Sequence, residues 1–195
     1  MVHESLRIIH EEHAALAAML RSTLALVEHG PGENPENFFQ VLQAMLFYID
    51  EFPERLHHPK ESALLVPPVA RMAPHTRFVL ERLEQDHQRG EAVVRELQHQ
   101  LTAWELLGEP RRLPFEKAVQ QHIEFYLEHM RLEETVILPE AKKVLSPADW
   151  NELDAAFITN CDPLTGKYPR DPVYDRLFTR IVMIAPEPIG LGSKR

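Results

Sequence analysis

The chain has 195 residues, of which 44% are hydrophobic and 26% charged, and this is the composition of a folded protein of one domain. Its 30 acidic and 21 basic residues give a net charge of −9, which disfavours a nucleic acid or an anionic membrane as partner. Cys161 is the only cysteine, which excludes an intrachain disulfide and a thiolate metal cluster. A polar N-terminal segment and apolar runs too short to span a bilayer predict a cytoplasmic protein.

Four long segments carry apolar residues at helical spacing: about Glu4 to His29, Asn34 to Val66, Pro74 to Leu107, and a fourth that starts at Pro114. Alternating strand patterns are absent, and the connections between the segments are short. The pattern therefore predicts an all-α fold, an antiparallel four-helix bundle over residues 1–145.

Prolines mark the edges and the weak points of these segments. Asn34-Pro35 is typical of a helix cap followed by proline at the first helical position. Pro53 and Pro59 are expected to bend or break the second helix, and Pro67-Pro68 to stop it, because proline removes a helical hydrogen bond. Pro139 is expected to kink the last turns of the fourth helix.

Residues 146–195 are predicted to form a C-terminal helical extension that packs on the bundle. Ser146 caps a short helix, with Asp149 three residues after the cap. Another short helix is expected around Val173 to Ile184. Its apolar residues either cap the bundle or form a homodimer contact, and these are Leu177, Phe178, Ile181 and Met183.

The sequence contains 11 histidines, which is a high number for its length. A histidine followed four residues later by a glutamate places both side chains one turn apart on the same helical face, where they can bind one metal. The spacing occurs at His29/Glu33, His57/Glu61, His87/Glu91 and His129/Glu133. The first pair spans Gly30-Pro-Gly and cannot share a helical face, so only the others remain candidates.

Position along the helices is more informative than spacing. His13, His87 and His129 fall on the apolar stripes of the first, third and fourth predicted helices, and His57 lies near the end of the second. Any one of them alone is more typical of a core histidine with a hydrogen-bond partner. Together they predict that every helix of the bundle points an imidazole inward.

Buried imidazoles beside buried carboxylates need a counter-charge, and Glu61 and Glu133 supply the carboxylates. Without that charge, burial would cost several kcal/mol per ion. A metal provides the charge and coordinates the nitrogens and oxygens directly. Imidazole and carboxylate ligands suit iron, manganese or zinc, and two carboxylates between helix pairs are able to bridge two metals.

The sequence resembles the hemerythrin-like, HHE cation-binding proteins. The matching segments are Ile8-Ile-His-Glu-Glu-His13, Phe52-Pro-Glu-Arg-Leu-His-His-Pro-Lys-Glu61, Gln85-Asp-His87 and Tyr126-Leu-Glu-His-Met-Arg-Leu-Glu-Glu134. Their order covers residues 1 to about 145. The resemblance implies a four-helix bundle around a non-haem diiron centre, with two oxo- or hydroxo-bridged iron ions and with Mn or Zn as possible substitutes.

Carried over residue by residue, the resemblance implies nitrogen ligands and bridging carboxylates at His13, His57, His87, His129, Glu61 and Glu133. Hemerythrins proper have a second histidine four residues after the third-helix ligand, where this chain has Glu91. They also use a carboxylate five residues after the last histidine, which would be Glu134. We prefer Glu133, because four-residue spacing matches the HHE pattern and stays on the apolar stripe.

The missing histidine leaves one metal with fewer protein ligands. This either opens coordination positions for O2, NO or water, or weakens that site until one metal stays bound. His122, one heptad before His129, and Tyr126 between them are candidate ligands or hydrogen-bond partners beside the metal, with packing as the alternative.

The remaining polar residues near these motifs have simpler interpretations. Glu91 is expected to pair with Arg95 in solvent, with a role as a ligand or as a hydrogen-bond partner beside the metal as the alternative. His10 and His58 are expected at the surface, since His58 cannot face the same way as its neighbour in the chain. Gly90, one turn after the third-helix histidine, either leaves room beside the metal or occurs there by chance.

The predicted function is therefore a non-haem iron protein, more typical of a metal- or gas-binding protein than of an enzyme. It would bind O2 or NO, or hold iron, for sensing, scavenging or repair of iron centres. One alternative is a metal-dependent oxidase or hydrolase acting through metal-bound water. Another is a metal-free helical interaction module whose histidines are only packed.

Overall fold

The structure, a computed structural model, describes residues 3–165, 174–185 and 191, and for 175 and 178 only the backbone. The described residues form helices and no strand, which confirms the predicted all-α bundle. Two of its four long helices are uninterrupted: α1 (Glu4–His29) and α5 (Arg77–Leu107). Within the described ranges, no helix is both long and apolar enough to cross a membrane.

The other two bundle helices contain π-helical turns. The second bundle helix, residues 35–72, consists of α2 (Pro35–Ile49), the π-helix Asp50–His57, α3 (His58–Lys60), the π-helix Glu61–Leu65 and α4 (Val66–Met72). The fourth bundle helix, residues 112–144, consists of α6 (Arg112–Leu132), the π-helix Glu133–Ile137 and α7 (Leu138–Val144). Short 3₁₀ turns, Pro74–Thr76 and Glu109–Arg111, lead into α5 and α6.

The prolines explain where these wide turns occur. A proline has no N–H, and its ring collides with the carbonyl four residues earlier in a regular α-helix. Pro53 lies inside one π-helix, and the other two end two residues before Pro67 and Pro139. The prediction that Pro67-Pro68 ends the second helix is wrong, because the chain widens to a π turn and continues as α4.

Local capping follows the sequence closely. The Asn34 side chain accepts a hydrogen bond from the Asn37 amide at 3.1 Å, with Pro35 next to it in the first turn of α2. The first helix ends at Gly30, whose φ of 80° is costly for residues with a side chain. Ser146 and Asp149 form a capping box at the start of α8 (Pro147–Phe157).

The core consists of two apolar clusters, one toward each end of the bundle. The first is rich in aromatic residues, including Phe38, Tyr48, Trp104 and Phe115. The second contains mainly aliphatic residues and reaches into the C-terminal segment through Trp150 and Phe157. Buried polar side chains lie between them: in α1, for example, His13 separates Ile9 of the second cluster from Leu16 of the first.

The C-terminal segment contacts both clusters. Helix α8 packs along α1, where the Asp154 carboxylate accepts a 2.5 Å hydrogen bond from the Ser5 hydroxyl. Helix α9 (Asp175–Ile184) places Ile181 in the aromatic-rich cluster, with Leu177 packed against it, while Met183 is exposed. The predicted second short helix is present, but Val173 and the Phe178 side chain lie outside the described residues. The division into bundle and extension remains a prediction.

Candidate metal centre

Each bundle helix contributes at least one buried donor to the polar layer between the two clusters. Their side chains are at most 6% exposed, and the structure brings together all six predicted ligands: His13, His57, Glu61, His87, His129 and Glu133. Among the described residues, overlapping subsets of these donors have ligand atoms within 4.8 Å of one another, as the ligands of a single metal ion must be.

The Glu61 carboxylate faces two histidines from different helices. Its Oε1 lies 3.0 Å from His57 Nε2, one turn earlier in the second bundle helix. Its Oε2 lies 3.6 Å from His87 Nε2 on α5. The two oxygens therefore point toward different imidazoles, which is the arrangement that a bridging carboxylate requires.

Glu133 has the same arrangement in the fourth bundle helix. Its Oε2 lies 3.3 Å from His13 Nε2 on α1. Its Oε1 lies 3.4 Å from His129 Nε2 and 3.7 Å from His87 Nε2. One oxygen of each glutamate faces His87, and the other faces His57 or His13. The two glutamates therefore lie between two adjacent positions that a metal ion could occupy.

We name these positions by the atoms around them. Site A lies between the imidazoles of His13 and His57, whose ring centroids are 5.1 Å apart. Site B lies between those of His87 and His129, whose ring centroids are 4.9 Å apart and whose Nε2 atoms are 3.2 Å apart. Each glutamate offers one oxygen to site A and the other to site B.

The outward nitrogen of every predicted histidine ligand has its own polar partner. The Nδ1 contacts are Glu134 Oε1 for His13 at 2.9 Å, Glu12 Oε2 for His57 at 2.6 Å, Ser62 Oγ for His87 at 2.9 Å and Asp86 Oδ2 for His129 at 3.5 Å. An Nδ1 hydrogen bond fixes the ring orientation and leaves Nε2 as the metal-facing nitrogen. The outer residues thus position the donors.

The electrostatics of the layer favour positive charge beside its carboxylates. Burial opposes protonation of His13, but hydrogen bonds to Glu133 and Glu134 outweigh it and raise the pKa of His13 to about 9. The pKa of His87 is raised to about 10 against the same burial, by hydrogen bonds to Glu133 and Glu84. Although burial favours the neutral acid, the charge of His129 and its histidine neighbours hold the pKa of Glu133 well below its usual value.

Several of the donor atoms lack hydrogen-bond partners in the described ranges, which also fits a metal site. Both oxygens of Glu61, Oε2 of Glu133 and Nε2 of His57 are buried and have no hydrogen-bond partner of good geometry among the residues that the structure describes. Buried polar atoms left in this state cost about 1–3 kcal/mol each. Carboxylate oxygens and imidazole nitrogens that converge on a common centre are the donor set of iron, manganese or zinc sites. The residues present therefore fit a metal cation.

One expectation about this region is wrong. His58 is not at the surface: it is 5% exposed, and its ring stacks on that of His87 with centroids 4.4 Å apart. The π-helix that ends at His57 changes the rotation per residue, so two successive histidines both reach the interior. Burial and the positive charges of His87 and His129 hold the pKa of His58 well below its usual value.

His122 and Tyr126 are buried but stand apart from the donor clusters. Their rings are 4.8 Å apart, and within the described part of the chain neither the nitrogens of His122 nor the Tyr126 hydroxyl has a hydrogen-bond partner. Burial lowers the pKa of His122 to about 4. Tyr126 approaches the layer, with its ring centroid 6.0 Å from that of His129, whereas His122 is not part of any donor cluster.

The other candidates lie at the periphery. Glu134 is partly exposed and contacts His13 and, at 3.5 Å, the exposed His10. Glu91 is exposed and forms an ion pair with Arg95, as expected, and it is outside the donor clusters of the described residues. A surface groove of about 540 Å³ between α1 and α6 reaches His13 and Glu134.

The C-terminal segment also supports a predicted ligand, which the sequence did not indicate. The Asn160 amide donates a 2.9 Å hydrogen bond to Glu12 Oε2, the atom that contacts His57 Nδ1. Lys60 reaches back to donate to both Asn160 and Thr159. Residues 159–160 therefore help to hold the orientation of a donor at site A.

Two sequence signals would have found more of the site. Glu54 and His58 have the reverse spacing, glutamate four residues before histidine, and Glu54 Oε2 lies 3.2 Å from His58 Nδ1. The pattern His-x3-Glu-x5-Pro occurs at His57 and again at His129. It marks the two π turns that carry the glutamates.

Comparison with known families agrees with this geometry. The family model of the hemerythrin HHE cation binding domain matches residues 4–141, which include all six predicted ligands. The comparison with curated proteins finds no match.

Proposed function

The chain belongs to the hemerythrin HHE cation-binding domain family, and from this premise we propose that it holds two iron ions at sites A and B and binds O2 or NO there. The observation that carries the proposal is the orientation of Glu61 and Glu133. Each directs one oxygen to a histidine of site A and the other to a histidine of site B. Manganese and zinc accept the same donors, so iron is the part of the proposal that needs direct measurement.

When bound, ferrous iron supplies the electrons and the open coordination positions that a diatomic ligand requires. The protein's own residues hold the imidazoles in place through their Nδ1 contacts and exclude water. The apolar clusters on both sides limit proton access, which favours binding of a gas over turnover. The donor side chains are at most 6% exposed, which suits a diatomic ligand better than a larger substrate, and we therefore favour gas or iron binding over the oxidase or hydrolase alternative.

The cellular use of such a site covers sensing, scavenging and iron supply to damaged iron centres, and the fold does not choose among these. The cytoplasmic location and the homodimer remain predictions from the sequence. Both can be tested independently of the metal.

Anaerobic reconstitution with ferrous iron tests the proposal. We expect about two irons per chain by elemental analysis, in line with bundle-borne dinuclear centres. We also expect separate changes in the optical spectrum on exposure to O2 and to NO. Two bound irons with no response to either gas would restrict the function to holding iron. A folded protein that retains no iron, manganese or zinc would overturn the proposal in favour of a metal-free helical module.

A further inference from the structure

His58 occupies a position beside site B that no predicted ligand fills. One ring nitrogen each of His58, His87 and His129 lie within 4.8 Å of one another. The His58 ring is nearly parallel to that of His87, at an interplanar angle of 13°, and its centroid is 5.3 Å from that of His129. We infer that His58 is a third nitrogen ligand at site B, a role that rests on the proposed function.

The outer contact of His58 matches those of the predicted ligands. Its Nδ1 faces a carboxylate oxygen, Glu54 Oε2, at 3.2 Å, as His57 Nδ1 faces Glu12. That contact leaves Nε2 as the nitrogen available to a metal. The buried His122 has no such partner on either nitrogen in residues 3–165, 174–185 and 191, so burial of a histidine in this bundle does not by itself produce the pattern.

Gly90 provides the space in which Glu54 lies. A Cβ built at Gly90 would come within 2.2 Å of Glu54 Oε2 and 2.5 Å of Oε1, far inside van der Waals contact. Glycine within a helix is unfavourable by about 1 kcal/mol relative to alanine, so its presence in α5 needs a local reason. The closest approach here is to the carboxylate that holds His58, which makes Glu54 a positioning residue.

The assignment also supplies a substitute for the second third-helix histidine of hemerythrins proper, which this chain lacks. Their second histidine on the third helix corresponds to Glu91, which is exposed and paired with Arg95 in this chain. His58 reaches site B from the second bundle helix instead. Site A then has two nitrogen donors and site B three, while the two glutamates serve both.

Metal titration of the full chain tests this inference. Ferrous iron and, separately, Co²⁺ are titrated anaerobically into wild type, His58→Ala and Gly90→Ala, with chelator competition to measure each affinity. Elemental analysis and the Co²⁺ optical spectrum report the number of metals and their coordination. Loss of one donor is expected to weaken one of two metal positions by about 10- to 100-fold and leave the other occupied.

His122→Ala is the matched control, because it removes an equally buried imidazole outside the donor clusters. It is expected to keep both metals at wild-type affinity. Added imidazole is expected to restore the second metal to His58→Ala, which a purely packing role of His58 would not produce. Gly90→Ala keeps every donor and displaces only the end of the Glu54 side chain, so it decides the question if His58→Ala does not fold.

The outcomes separate this inference from the proposed function. Two metals bound at wild-type affinity in both His58→Ala and Gly90→Ala would overturn the role of His58 and leave the two-metal proposal intact. If His122→Ala lowers the metal affinity as much as His58→Ala does, the role of His58 would also be overturned. The loss would then follow from the cavity that removal of any buried imidazole leaves. Failure of wild type to bind metal would overturn the proposed function itself.

Discussion

Two segments of the molecule, residues 54–67 and 126–139, each place a glutamate in a π turn, one in the second and one in the fourth bundle helix. The shared pattern is His-x3-Glu-x5-Pro, at His57, Glu61 and Pro67 in one and at His129, Glu133 and Pro139 in the other. In both, a π turn begins at the glutamate and ends two residues before the proline. The proline forces the wide turn, and the wide turn presents the carboxylate to the centre.

The segments differ in the residues around the shared pattern. The residue after the predicted ligand histidine is His58 in one and Met130 in the other, and the residue three before it is Glu54 in one and Tyr126 in the other. A second π-helix, Asp50–His57, overlaps the start of the first segment, whereas residues 112–132 before the other π turn form a regular α-helix. The comparison teaches that one backbone device supplies both glutamates, while the change in side chains makes the centre asymmetric.

The largest effect is expected from removing either shared glutamate. Because each carboxylate faces both sites, Glu61→Ala and Glu133→Ala are both expected to reduce iron affinity by more than about 100-fold at both positions. Elemental analysis after anaerobic reconstitution measures this, with circular dichroism to verify folding. Glu134→Ala is the comparison variant: Glu134 contacts His13 of site A, so its loss should weaken site A and leave site B occupied. Loss of a single iron in either variant would show that the removed carboxylate serves only one of the two sites.

The prolines provide the next test, because the two segments are unequal there. Pro139→Ala restores an N–H and allows a regular turn to form, which would rotate Glu133 away from the centre. In the second bundle helix Pro68 remains after Pro67→Ala, so the wide turn should persist. We expect iron affinity to fall about tenfold for Pro139→Ala and less for Pro67→Ala. Equal effects in a chelator competition assay would argue against proline as the cause of the π turns.

Asn160→Ala tests the hydrogen bonds through which Asn160 and Glu12 hold His57 of the first segment. The amide of Asn160 holds Glu12, which holds His57, so its loss should loosen one donor of site A without removing it. We expect a loss of iron affinity below about tenfold, confined to one of the two metals. Asn160→Asp serves as a second variant, since it places like charge beside Glu12 and should be worse. An unchanged affinity in both variants would limit residues 159–160 to packing.

The smallest effect on metal binding is expected from Tyr48→Phe. This variant removes one hydroxyl and tests the stability of the fold. The Tyr48 hydroxyl donates a 2.7 Å hydrogen bond to the buried Asp162, whose pKa burial raises to about 6. A raised carboxyl pKa means that the folded state binds the proton more tightly, so this group's contribution to stability is lost as pH rises from about 4 to 6. Without the hydroxyl, the ionised carboxylate loses a partner.

Urea unfolding of the metal-free protein at pH 5 and pH 7 checks this expectation. Tyr48→Phe should cost about 1–3 kcal/mol at pH 7 and less at pH 5, where Asp162 is largely protonated. Iron affinity should stay at the wild-type value. A larger cost at pH 5 than at pH 7 would contradict the sign of the argument.

Much of the fold and of the donor set follows from the sequence. Helical spacing predicts the four long helices, the cap at Asn34 predicts where the second begins, and the cap at Ser146 predicts the start of the short helix α8. The apolar stripes place His13, His87 and His129 inside the bundle. Such periodicity works because burial of one helix face dominates the stability of a bundle.

The errors come from the assumption of a regular α-helix. A period of 3.6 residues per turn places His58 outside, but the π-helix ending at His57 has more residues per turn, which shifts the helical register and brings His58 in. The same assumption led to the expectation that Pro67-Pro68 would end the second helix. Partners distant in sequence, such as Asn160 for Glu12, depend on tertiary packing and have no local pattern.

The depth of the donors has a kinetic consequence. Side chains that are 6% exposed or less cannot exchange a bound cation with solvent while the helices stay closed. Loading and loss would then proceed through local opening, which is easiest where the hydrogen-bond ladder is already widened. The residence time of the metal would follow the opening rate of the turns at 61–65 and 133–137, so slow-release mutants should also protect those amides from deuterium exchange.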